Sequence, residues 1–420
     1  MAGARRFAVI GGGWAGLTAA VEATKRGQHV TLFEMAPQLG GRSRGVDAAG
    51  LALDNGQHIL IGAYVETLAL MRTLGVAQED AFVRTPLRVT YPNGVGLQLN
   101  AGTPMLAFGG AVLRHRGWRV GERVALLAAA TGWVARGFRC APSLTVAQLT
   151  RRLPQAIRDD LIDPLCVAAL NTPASEASAS VFLRVLKDAL FSGVGSADLL
   201  LPCISLSALL PMPAQRWLIE AGATVRLQHR VDTVSAVGDG WKVDGERFDR
   251  VVLASTPVEA ARLMREIAPH WSVTAAALRY EPIVTVYLRG DGVRLAEPML
   301  ALRSGDRLPA QFVFDRGRLG GPTGLLAFVI SGAQPWVDRG VQATTLAVIA
   351  QAQAALGLRL APVQSLTEKR ATFRCTPGLR RPAMQIAPNL HAAGDHVAGP
   401  YPATLEGAVR SGLAAVAAFE

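Results

Sequence analysis

A glycine turn closed by an acid dominates the first forty residues. Phe7-Ala-Val-Ile10 is a short apolar run of strand type. Then come Gly11-x-Gly13-x-x-Gly16, an alanine-rich helical stretch, a second apolar run His29-Val-Thr-Leu-Phe33, and Glu34, 18 residues past the last glycine. Strand, glycine turn, helix, strand and terminal acid, in that order, form the fingerprint of a dinucleotide-binding βαβ unit. Gly11 allows the tight turn, Gly13 lets a pyrophosphate approach the backbone, and Gly16 lets the helix pack closely on the strand. Trp14 and Ala15, at the helix start, bring free N–H groups and a partial positive charge to the phosphates. Glu34 is placed to accept the ribose hydroxyls. A glycine turn alone is a weak signal; the ordered set is a strong one.

The next segments choose the dinucleotide. After Glu34 the chain reads Met-Ala-Pro-Gln-Leu, Gly40-Gly41-Arg42-Ser43-Arg44, and later Leu53-Asp54-Asn55-Gly56-Gln57-His58. A nicotinamide-type unit has no need of a second glycine pair and arginine so soon after the ribose acid. FAD is longer, and its pyrophosphate can take a second cationic clamp. Near the other end, His391-Ala-Ala-Gly394-Asp395 reads as a strand closing on a corner, and Pro402-Ala403-Thr404 as a helix start.

These segments resemble the FAD-dependent amine oxidase and carotenoid desaturase superfamily, whose hallmark is E-x(5)-GGR followed by D-x-G. The Leu53–His58 string, Gly62-Ala-Tyr64 and the Pro402–Gly412 tail are similar to its hydroxysqualene dehydroxylase branch. The resemblance covers the first hundred and last thirty residues well, the middle only by general organisation. It implies an α/β fold (α+β overall), with a discontinuous Rossmann-like FAD-binding domain of residues 1–75, 215–260 and 365–420. A substrate domain of mixed sheet and helices, 76–214 and 261–364, is interleaved with it. Gly41, Arg42, Asn55 and Gly56 are then expected at the FAD, with Arg42 on the pyrophosphate. The backbone of Val231 is expected against the adenine, and Gly394 and Asp395 at the pyrophosphate and ribityl chain. Ala403 and Thr404 begin a helix aimed at the isoalloxazine ring, where its dipole favours the anionic reduced form.

The reaction implied is reductive removal of the hydroxyl of a C30 isoprenoid alcohol, hydroxysqualene, giving squalene in bacterial hopanoid synthesis. Departure of the hydroxyl needs a proton, for which His58 is the expected donor; Arg44 is expected to turn toward the active site. Tyr64 and Tyr401 are weaker candidates for lining the pocket. Gly317-x-x-Gly320-Gly321 has the wrong spacing for a second dinucleotide fingerprint, so an external reductant is expected. Three other readings stay open: a carotenoid desaturase running the fold in the oxidising direction, an amine oxidase, and a prenyl-lipid carrier without catalysis.

Composition suits a lipid substrate. Hydrophobic residues make up 50% of the 420, and charged residues only 18%, against about 25% in an ordinary domain. The net charge of +11 is concentrated: eight arginines from Arg114 to Arg152 face one acid, Glu122, with Trp118, Trp133 and Phe138 among them. A basic, aromatic-bearing amphipathic segment suits an anionic membrane surface; a solvated basic face over core helices is the plainer reading. The stretch between Asp198 and Arg216 holds no charged residue and is a second place for membrane contact or a buried connection. Its prolines argue against a spanning helix. The expected location is cytoplasmic, peripheral on the inner face of the bacterial membrane, with contact to other squalene-pathway enzymes. Arg5-Arg6 before an apolar run superficially suggests a signal peptide, but that run belongs to the dinucleotide strand. No metal is expected, because the histidines and four dispersed cysteines show no ligand spacing. No nucleic acid is expected either, since no binding motif accompanies the charge.

Overall fold

A computed structural model of the chain describes residues 5–419. One sheet has the strand order Thr224–Arg226, His29–Phe33, Arg6–Ile10, Arg250–Leu253, Leu390–Ala392, Gln385–Ala387. All its pairings are parallel except the last. Its central strands read as unbroken apolar runs because both faces are covered. Phe7 and Val9 point to the helix Trp14–Lys25, while Ala8 and Ile10 point to the opposite layer with Trp241, Phe248 and Met264. On the helical side, the C-terminal helix Leu405–Ala417 lies tight against Trp14–Lys25. A Cβ on Gly412 would stand 2.4 Å from the Ala15 carbonyl oxygen.

A second sheet is wholly antiparallel, in the order Met299–Ala301, Phe312–Asp315, Leu325–Ile330, Tyr280–Arg289, Ala361–Phe373. Its side chains alternate between two cores. Val284, Val286, Leu326 and Phe328 pack under the helix Val341–Leu356, whereas Tyr287, Phe312, Phe314 and Val329 face the other way. The strand Ala361–Phe373 runs through residue 364, where the sequence reading ends a domain; its long ladder with Tyr280–Arg289 carries the second sheet past that boundary.

Residues 104–191 are mainly helical around their own core, which includes Trp118, Trp133, Ile157 and Phe182. A short strand pair forms as Arg88–Thr90 with Gly96–Gln98. Within the charge-free stretch after Asp198, Leu199–Pro202 is the middle strand of three, buried along its length, and so is core. Further along the same stretch Met212 is exposed, on the helix Pro211–Glu220. Among the described residues no helix is long and apolar enough to cross a membrane.

Candidate active site

A cavity of about 570 Å³ lies between the two sheets. Gly11, Gly13, Trp14, Ala15, Glu34, Gly41, Arg42, Arg44, Asn55, Gly56, His58, Val231, Gly394, Asp395, Ala403 and Thr404 all line it. Of the residues expected at the site, Gly16 and Tyr401 do not line it. A Cβ on Gly16 would fall 1.8 Å from the Gly11 carbonyl oxygen, so this glycine serves packing. Gly11 turns at φ +110°, and a Cβ on it would meet Ala254 at 2.6 Å. Gly13 differs, for nothing lies within 4 Å of where its Cβ would be.

That open position tests the cofactor. Gly13 is the N-cap of Trp14–Lys25, no side chain caps this helix, and its first turn holds no acid. The free N–H groups of the first turn therefore stay available to an anion, and the space beside Gly13 leaves room for one. The residues present fit FAD. Gly11, Gly13, Trp14 and Ala15 would hold its pyrophosphate, Glu34 and Val231 its adenosine, and the start of the C-terminal helix its ring.

Several contacts knit this wall. The Trp14 indole donates to the Ser43 carbonyl (3.1 Å), and Gly40 N–H donates to the Gly12 carbonyl (2.9 Å). Glu34 is buried and accepts from Gly12 N–H at 2.6 Å and Ala36 N–H at 2.7 Å, fixing its carboxylate at the strand end. The Val231 carbonyl accepts from Arg262 at 2.5 Å. Thr404 spends its hydroxyl on its own helix, accepting from Gly407 N–H at 2.9 Å. The preceding Ala403 adopts φ +57°. Buried Glu406 accepts from Glu66 N–H, from Thr67 N–H and hydroxyl, and from Arg410, tying the C-terminal helix to the helix Val65–Thr73.

Arg42 donates to Asp395 at 2.6 Å and to the Ala371 carbonyl at 2.8 Å. Burial works to raise the Asp395 carboxyl, but Arg42 and His396 outweigh it and hold the group well below the usual carboxylate range. Arg44 donates to the Gly41 carbonyl, and its buried Nε has no partner among the described residues.

His58 Nδ1 lies 2.9 Å from the Gly56 carbonyl, and its Nε2 lies 3.0 Å from Ser43 Oγ. Nδ1 therefore carries the proton it donates to the carbonyl, and Nε2 accepts from the serine hydroxyl. Burial depresses the imidazole pKa below its ordinary 6.5, leaving the ring neutral near pH 7.

The rest of the Asp54–His58 segment is anchored by residues that the sequence did not single out. Asn55 donates to Glu368 at 2.8 Å; Gln57 accepts from Arg316 at 2.9 Å. Asp54 accepts from Leu206 N–H at 2.8 Å and lies 3.8 Å from Arg316; burial raises its carboxyl pKa. Ser43, Arg316 and Glu368 are the missed residues. Only Ser43, inside the Gly-Gly-Arg-Ser-Arg string, had a local signal. Ile283, Phe312, Phe314 and Val329 from the second sheet supply an apolar wall, with Phe312 and Phe314 on one face by strand alternation. Tyr64 lines the cavity, and burial raises its hydroxyl pKa. Tyr401 lies in a neighbouring groove instead, under Arg184 and Arg410.

Comparison with known proteins bears on the family and the fold. The model of a family described as flavin-containing amine oxidoreductase matches residues 14–418. The hydroxysqualene dehydroxylase of Rhodopseudomonas palustris is 29% identical over 431 residues, covering 96% of each chain. That of Sinorhizobium fredii is 29% identical over 432 residues, 96% of this chain and 95% of the relative. Among solved structures, an oxidoreductase from Methanosarcina mazei superposes with a TM-score of 0.74 at 16% identity, over 97% of this chain and 99% of that one, which speaks for the fold alone.

Proposed function

Since the chain belongs to the flavin-containing amine oxidoreductase family, we propose that this FAD-dependent oxidoreductase converts hydroxysqualene, a C30 isoprenoid alcohol, into squalene. One observation carries the reading: the Asn55–His58 segment and the apolar strands of the second sheet share a single cavity with the glycine turn. Likeness to hydroxysqualene dehydroxylases along nearly the whole chain supports the same substrate.

Reduced flavin, when bound, supplies a hydride. The protein's share is to hold the polyene, exclude water and manage one proton. Ile283, Phe312, Phe314 and Val329 give the chain an apolar bed and keep bulk water from the reacting carbon. His58 and Ser43 form the proton path. A proton reaching His58 Nε2 passes through the Ser43 hydroxyl to the departing oxygen. The C–O bond breaks, oxygen leaves as water, and the allylic carbon gains hydrogen. A depressed imidazole pKa makes protonated His58 a stronger acid than an ordinary histidine. Arg44, beside Gly41, positions the glycine pair at this end.

On this reading the electrons come from an external donor. The same reading places the enzyme in hopanoid synthesis, at the cytoplasmic face of the membrane beside other squalene-pathway enzymes. The test is incubation, without oxygen, of the reduced holoenzyme with hydroxysqualene and of the oxidised holoenzyme with a C40 polyene such as phytoene. Squalene by mass spectrometry from the first substrate supports the proposal. Conjugated product from the second by the oxidised enzyme, with no squalene from the first, overturns it in favour of a desaturase.

A further inference from the structure

Two neighbouring helices turn an apolar face to the outside. Along Val120–Ala135 the exposed positions are Val120, Gly121, Val124, Ala128, Thr131, Val134 and Ala135, which at helical spacing fall on one broad, uncharged stripe. Thr131 turns its hydroxyl back onto the Leu127 carbonyl at 2.9 Å. The opposite side of the helix sends Leu126 and Trp133 into the core. Packed beside it, Pro104–Arg114 exposes Met105, Leu106 and Leu113 and bears no charge before its last residue. Leu106 is 70% exposed and Val120 72%. The surface helix of a soluble domain carries its charged residues on this side; here they are absent.

The only charges within Val120–Ala135 are spent at its start. Glu122 accepts from Arg119 N–H at 2.7 Å, and Arg123 donates to the carbonyls of Trp118 and Leu113. Cations flank the stripe instead. Arg114, Arg116 and Arg119 are exposed at the turn between the helices, and Arg136 and Arg139 beyond the far end. Among the described residues these five side chains have no acidic partner.

We propose that this face docks on an anionic lipid bilayer, its apolar stripe sunk into the boundary between headgroups and acyl chains and its arginines on the phosphates. Charge selects the occupant. A second copy meeting this face symmetrically would bring arginine onto arginine, whereas an anionic surface neutralises all five. Docking deepens the proposed function, since a C30 alcohol dissolves in the bilayer.

The test is flotation of the FAD-loaded enzyme with vesicles of mixed phosphatidylglycerol and phosphatidylcholine, or of phosphatidylcholine alone. Wild type should float with the anionic vesicles and lose binding about fivefold for each of Arg116 and Arg136 changed to Gln. Leu106→Glu with Val120→Glu should abolish flotation while flavin content stays unchanged. Met212→Glu with Ile219→Glu, exposed on another helix, should float as wild type does. Wild type that stays with the buffer, or a Leu106→Glu/Val120→Glu enzyme that still floats, overturns the proposal. So does a dimer in sedimentation that the same pair of substitutions dissolves, which makes the face a protein interface. No substrate enters this assay, so its failure leaves dehydroxylation standing, and failure of turnover leaves docking standing.

Discussion

Arg42 and Asp395, 353 positions apart in the chain, meet at 2.6 Å. Through them the glycine-arginine loop that follows Glu34 is clasped to the corner preceding the C-terminal helix. Because the two segments wall the same cavity, this pair ties the cofactor site to the C-terminal part of the fold.

Arg42→Ala leaves the buried Asp395 carboxylate without its strongest partner. Loss of one member of such a pair costs about 3 kcal/mol, to be read from urea unfolding, and flavin affinity should fall with it. The acid limb follows from the same pair. The native Asp395 carboxyl lies below its ordinary 3.8, so its stabilisation is complete above that value and is lost as pH falls below it. Wild type should therefore lose more stability than Asp395→Asn on acidification below about pH 4.

His58 makes a different prediction. Its native pKa lies below 6.5, so the proton-bearing form accumulates only below that pH. Turnover should rise as pH falls through the depressed pKa. His58→Gln should keep its flavin and lose about 100-fold in rate. Ser43→Ala removes the hydroxyl through which the proton passes and should lower turnover as His58→Gln does, while burial keeps the limb of the pH–rate profile below 6.5. A Ser43→Ala rate equal to wild type places the serine outside the proton path.

Two glycines separate folding from cofactor binding. Gly13 has φ −72°, ordinary for any residue, and its missing Cβ faces open space. Gly13→Val should melt like wild type and purify without flavin. Gly16→Ala drives a methyl into the Gly11 carbonyl and should lower the melting temperature. Thermal melts beside the flavin-to-protein absorbance ratio distinguish the two.

Arg316→Met strips Gln57 of its donor and Asp54 of its neighbouring cation. Burial already raises the Asp54 carboxyl pKa, which lets the group take a proton and limits the damage to about 1–3 kcal/mol. Flavin should stay bound while the Michaelis constant rises, because the disturbed segment faces the substrate wall.

The sequence made legible whatever local chemistry demands. The glycine turn, the acid at Glu34, the Gly-Gly-Arg string and the capped start of the last helix are written in consecutive residues, and the fold gathers them around one cavity. Contacts between distant segments left no such trace. Nothing near Asn55 announces Glu368, and nothing near Gln57 announces Arg316, because tertiary approach alone creates those bonds. The charge-free stretch after Asp198 suits a surface or an interior equally, and pairing on both sides of Leu199–Pro202 makes that part interior while Met212 stays exposed. Residue 364 marks no break, since the register of its strand is set by Tyr280–Arg289. The apolar stripe from Val120 to Ala135 needed the fold to show which side of the helix faces out.

The most direct measurement mixes anaerobic, photoreduced enzyme with hydroxysqualene and follows the flavin absorbance while squalene is counted. The account predicts that the yellow colour returns in a single phase, with one squalene formed for each flavin reoxidised. Flavin that stays bleached in the presence of hydroxysqualene, or that recovers without squalene, contradicts it.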